Sequence, residues 1–89
     1  MNPLLLAEAM LGKDAEEFLT SDIGRYLLGR CEHEIEEAQD LLSTVAPWRR
    51  NRIKQLQNEI WRAKSVRVWL AELVSNGQRA EQLLDSQED

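Results

Sequence analysis

The stretch SDIGRYLLGRCEHEIEEAQDLLSTVAPWRRNRIKQLQNEIWRAKSVRVWLAELVSNG, from Ser21 to Gly77, decides the fold. In its first half Leu28, Cys31, Ile35, Ala38, Leu42 and Val45 recur at spacings of 3, 4, 3, 4 and 3. That rhythm is the seam of a helix packed lengthwise on another helix, and Ile23, Leu27 and Leu41 widen it. Thr20, Ser21 and Asp22 offer N-cap side chains, so a helix is predicted from there to about Thr44. Ala46-Pro47-Trp48 interrupts the pattern, because proline disfavours helix at the residue before it and suits the first position of a new helix. A third helix is predicted from Pro47 to about Ser75, with Asn76-Gly77 as its C-terminal stop. A connection this short turns the two long helices antiparallel.

Shorter helices flank this hairpin. Asn2 is an N-cap with Pro3 at the first helical position, and the opening helix is predicted to stop at Gly12. Asp14 caps a further short turn, Ala15 to Leu19, with Glu16 and Glu17 near its positive end. After Gly77, a last short helix from Gln78 to Leu84 folds back through Ala80, Leu83 and Leu84. The expected fold is all-α: a long antiparallel hairpin with short flanking N- and C-terminal helices, packing as an oligomeric helical bundle. Residues 1–84 form one helical domain in this reading, and 85–89 a frayed acidic tail.

Composition narrows the classes. The 89 residues allow one domain. Four Gly, 2 Pro and 1 Tyr are too few turn-formers for a many-stranded β fold. One Cys and one His exclude a disulfide framework and a zinc finger within one chain. Cys31 reads as a small core-facing hydrophobe. The opening MNPLLLAEAMLGK has no positive n-region and carries Glu8, so it does not read as a signal peptide. No stretch approaches ~20 apolar residues, so no membrane span is expected and the cytoplasm is the default compartment.

Charge is segregated. Residues 1–48 carry 3 basic and 10 acidic side chains, net −7, whereas residues 49–76 carry 7 basic and 2 acidic, net +5. Folding at Pro47 is expected to bring Asp40 near Lys54, and Glu32 near Arg62 or Lys64, with pairing across the hairpin or across a dimer. A second reading makes Arg49, Arg50, Arg52 and Lys54 a basic knob that grips phosphate, as in a nucleic-acid-binding regulator. The overall −5 argues against non-specific coating of nucleic acid. A third reading has the cluster bind an acidic protein surface.

On a helical wheel Ile53, Leu56, Ile60, Ala63, Leu70 and Val74 face the second helix. Trp61 and Val68 lie to one side, Val66 and Leu73 to the other, and Trp69 nearly opposite. From Ile60 onward the helix is apolar almost all round and needs cover on more than one side. Leu4, Leu5, Leu6, Met10, Leu11, Phe18 and Leu19 are expected to cover one side. A second copy is the expected cover of the other, through Trp61, Val66, Val68, Trp69 and Leu73. The alternative is docking of a different protein there. Arg67, between Ala63 and Leu70, needs Asp22 or Glu72 as partner, or a stem that snorkels past the core edge.

The chemistry-bearing residues are sparse. His33 and Glu37 share a helix face, but Arg30 stands where a Glu-x-x-His metal motif needs its carboxylate, so His33 reads as a solvated residue or ion-pair partner. There is no glycine-rich phosphate loop, nucleophile elbow or His-Glu-x-x-His. No catalytic residue, metal or cofactor is expected, and the favoured function is a non-enzymatic structural or interaction protein.

The groups Phe18-Leu19-Thr20-Ser21, Gly24-Arg25-Tyr26-Leu27, Ile53 with Leu56-Gln57, Glu59-Ile60, Trp69-Leu70, and Gly77 before Ala80 give the chain a resemblance. From Phe18 through Leu84 it resembles small helical proteins of unknown function encoded in bacteriophages and prophages. The resemblance implies a phage accessory role in a host cytoplasm and carries over no active site.

Overall fold

Asn2 opens the first helix as expected: its Oδ1 accepts from the Leu4 N–H at 2.9 Å, and Pro3 follows at the first helical position. The computed structural model describes residues 2–88, Glu88 by its backbone alone; Met1 and Asp89 lie outside the described residues. Three α-helices account for nearly all of them: α1 (Pro3–Thr20), α2 (Asp22–Thr44) and α3 (Arg50–Glu88). No strand occurs among the described residues.

Two glycines predicted to end helices do not. α1 runs through Gly12, so the opening helix and the short Ala15–Leu19 turn are one element. α3 runs through Asn76-Gly77 and absorbs the expected Gln78–Leu84 helix. Of the acidic tail expected at 85–89, residues 85–88 belong to α3 and Asp89 is outside the described residues. A glycine stop needs the left-handed conformation, and no glycine here has positive φ. Both glycines are instead spent on a close approach. A Cβ on Gly12 would lie 2.7 Å from the Gly77 Cα, and one on Gly77 would lie 2.6 Å from the Gly12 Cα.

Ser21 separates α1 from α2 and serves both. Its Oγ donates to the Phe18 carbonyl at 2.6 Å and accepts from the Gly24 N–H at 3.0 Å. It thus closes one helix and caps the next. Asp22 sits in the first turn of α2, where the helix dipole favours it. Gly24 is also required, because a Cβ there would fall on the Phe18 carbonyl. Gly29, also inside α2, has no neighbour within 4 Å of the position a Cβ would take.

The second connection differs slightly from expectation. The Arg49 N–H donates to the Ala46 carbonyl at 3.0 Å, and the Ile53 N–H to the Arg49 carbonyl at 3.1 Å. Pro47 therefore occupies the second position of a four-residue turn, which its fixed φ suits, and α3 begins at Arg50 rather than Pro47.

Contacts divide the chain into two compact units. The first combines α1, the start of α2 to Arg25, and α3 from Val68. Its buried residues are small: Ala9, Gly12, Ala15, Gly24, Gly77 and Ala80. The second unit, Tyr26–Arg67, pairs the rest of α2 with the first half of α3 and buries Ile35, Ala38, Leu56, Ala63 and Ser65. Ser65 Oγ donates to the Trp61 carbonyl at 2.7 Å, so this buried hydroxyl is satisfied. Leu56 is the largest side chain fully buried among the described residues.

Candidate functional site

In the first unit a core built of alanine and glycine leaves large apolar side chains at the surface. Where backbones touch, as at Gly12 and Gly77, no leucine or tryptophan fits between the helices. In the first unit Leu4, Leu6, Met10, Leu11, Val68, Trp69, Leu73 and Leu83 are all exposed. In the second, Tyr26, Leu27, Leu41, Trp48 and Trp61 are exposed.

The five residues singled out for an interface fall in both units. Trp61 is 67% exposed and belongs to the second unit, with half-buried Val66. Trp69, 59% exposed, belongs to the first unit with Val68 and Leu73. The expected cover from the N-terminal segment is partial. Leu5, Phe18 and Leu19 are half-buried, whereas Leu4, Leu6, Met10 and Leu11 face solvent. Val66 lines a groove of about 590 Å³ within the second unit, with Cys31, Ala38, Leu41 and Ala63 as apolar walls and Glu34, Glu37, Glu59 and Arg62 as polar ones. Cys31 is a half-buried thiol, in keeping with its place on the α2 seam.

Arg67 corrects two expectations at once. It is exposed, and its Nη1 lies 3.4 Å from Glu32 Oε1, so its partner is neither Asp22 nor Glu72. Glu32 in turn pairs with neither Arg62 nor Lys64. Within α2, Arg30 pairs with Glu34 at 3.7 Å and His33 with Glu37 at 3.5 Å. The Tyr26 hydroxyl, and after it the Glu34 carboxylate, raise the Arg30 guanidinium further above its usual range. Among the described residues no three His, Cys, Asp or Glu side chains gather as metal ligands.

The basic cluster lies at the start of α3. Arg49, Arg50 and Lys54 are exposed, and half-buried Arg52 donates to Gln55 Oε1 at 3.2 Å. Trp48, 80% exposed, shares a shallow hollow with Arg49, Arg50, Asn51 and Arg52. Among the described residues no ion pair joins these four cations to the acidic side chains of α2, the Asp40–Lys54 pair included.

Sequence reasoning missed Leu4, Leu11 and Leu83 as a surface. The signal was present: Leu4, Leu11 and Phe18 recur every seven residues, a stripe visible once Gly12 is read as interior to a helix. No helix among the described residues is long and apolar enough to cross a membrane. No family model matches the chain, and neither a curated protein nor a solved structure matches it.

Proposed function

We propose that this chain is a non-enzymatic structural or protein-interaction module that works by self-association. The observation that carries the reading is how much large apolar surface stands in water, Trp48, Trp61 and Trp69 included, while Ile35 and Leu56 are the only large apolar side chains buried among the described residues. Stable domains stack at least two layers around a core, and each unit supplies one pair of helices. In this reading α2 and α3 form an antiparallel hairpin, and a second copy completes an oligomeric bundle against the apolar faces near Trp61 and Trp69.

A phage or prophage accessory role in a host cytoplasm is the setting suggested by the resemblance described above.

Tryptophan emission tests the reading. Assembly buries indoles that are exposed in the single chain, so emission is expected to move to longer wavelength on dilution. Water-exposed emission that is independent of concentration would contradict it.

A second reading has its own observation. The exposed Trp48 beside Arg49, Arg50 and Arg52 joins a stacking surface to phosphate-binding cations, the pairing that single-stranded nucleic acid favours. Binding by this tip is the alternative function.

A further inference from the structure

We infer that the tip of the second unit is a single-strand site rather than a general anion site, with Trp48 stacking on an unpaired base while Arg49, Arg50 and Arg52 hold the adjoining phosphates. This rests on the second reading above and names the residue that gives that site its selectivity.

The tip is set apart by charge. Between Asp40 and Glu59, the 18 residues 41–58 carry 4 basic side chains and no acidic one. The other 71 residues carry 7 basic and 16 acidic, net −9. The cations are free of carboxylates in space as well. Among the described residues none of the four takes part in an ion pair, and Arg52 is held by the neutral Gln55. A polyanion therefore meets a positive surface with no bound carboxylate to displace. Lys54, four residues after Arg50, lies on the same face of α3 outside the hollow and extends the phosphate track.

Charge alone fits any anion, and Trp48 narrows the choice. At 80% exposure it is the most exposed large apolar side chain among the described residues. Its backbone is not loose. It follows Pro47 in the turn closed by the Arg49 N–H on the Ala46 carbonyl, and the fixed φ of proline suits that turn. The hollow it shares with Arg49, Arg50, Asn51 and Arg52, about 300 Å³, has no aliphatic side chain and no carboxylate in its lining. A protein partner would meet an apolar centre. One flat indole among guanidinium groups instead matches a base with its phosphates. Paired bases are stacked on their neighbours and offer no free face, so a duplex can use the cations but not Trp48.

Fluorescence anisotropy with a labelled oligothymidylate, its abasic sugar-phosphate counterpart and a duplex of equal length makes the test. Trp48→Ala should weaken oligothymidylate binding at least about fivefold and leave its salt dependence unchanged, because no phosphate contact is lost. Trp48→Phe should retain most of the affinity. Binding of the abasic strand and of the duplex should change by less than about twofold in Trp48→Ala, since neither offers a base to stack. Arg50→Gln should instead weaken all three ligands and lower the slope of log affinity against log salt by about 0.7 on single strands. Helicity by circular dichroism is followed for each variant. In a W61F/W69F protein, whose one indole is Trp48, the oligothymidylate should quench emission and the abasic strand should not. If the oligothymidylate binds with steep salt dependence but Trp48→Ala, or removal of the bases, makes no difference, the stacking is wrong while phosphate binding at the tip stands. Polyglutamate bound as tightly as the oligothymidylate assigns the tip to an acidic protein surface and overturns the inference. No binding of any oligonucleotide overturns it together with the reading on which it rests.

Discussion

Gly12 and Gly77 meet backbone to backbone: a Cβ on Gly12 would lie 2.7 Å from the Gly77 Cα and 2.9 Å from the Leu73 carbonyl oxygen. No side chain can move aside to relieve this, since the nearest atoms are main chain. The contact explains why two glycines with the look of helix stops lie inside helices, and why no large side chain stands between α1 and α3 at this level.

Gly12→Ala and Gly77→Ala should therefore each destabilise the fold, although alanine is the better helix former. Overpacking costs about 1–3 kcal/mol and outweighs a propensity gain of at most ~1 kcal/mol. Gly29→Ala is the counterpart, as nothing lies within 4 Å of its Cβ position; it should stabilise by up to ~1 kcal/mol. Thermal unfolding reads the sign directly, at about 4–8 °C per kcal/mol for a domain of this size. Equal shifts for Gly12→Ala and Gly29→Ala would contradict the close contact.

The Ser21 junction gives a second comparison. Ser21→Ala removes the cap of α2 and should cost about 1 kcal/mol. Gly24→Ala should cost more, because its Cβ collides with the Phe18 carbonyl and the chain must re-route between α1 and α2. Urea unfolding at matched protein concentration measures both. A Gly24→Ala variant as stable as wild type would remove the junction from this description.

Much of the helical content was legible before the structure. The alternation of threes and fours from Leu28 to Val45 located α2 to within a residue, because lengthwise packing demands that rhythm and Ser21 supplies a cap. Glycine was misread at Gly12 and Gly77 for a physical reason. Local sequence does not distinguish a glycine used for left-handed φ from one used for close approach; only the facing helix does. For Arg67 the wheel left two readings, a buried pair with Asp22 or Glu72 and a stem reaching past the core edge; its exposure agrees with the second, and Glu32 on α2 is the partner the wheel did not name. Trp61 and Trp69 were legible as surplus apolar surface, and their exposure in the single chain agrees with that, whereas the Leu4–Leu11 stripe was hidden by the supposed break at Gly12.

The Glu32–Arg67 pair should contribute little. Both side chains are more than half exposed, 58% and 53%, and exposed pairs give about 0–1 kcal/mol. Arg67→Ala is expected to lower stability by less than ~1 kcal/mol, with most of the difference gone in 1 M salt, where screening acts within ~3 Å. A larger, salt-independent loss would mean that Arg67 is buried in the assembled protein.

The nucleic-acid alternative makes its own demand. Neutralising Arg49, Arg50, Arg52 and Lys54 to Gln should leave self-association unchanged. If the tip binds nucleic acid, wild type should bind a single-stranded oligonucleotide with an affinity falling steeply with salt, and the four-fold variant should lose it. Salt-insensitive binding, or none, excludes this reading.

Self-association itself is decided by absolute mass in solution, from light scattering after size exclusion at low and at high salt. A dimer or larger species stable in both is expected, because apolar burial survives salt that weakens ion pairs. A 10.3 kDa monomer in both, at concentrations well above micromolar, would contradict the central claim.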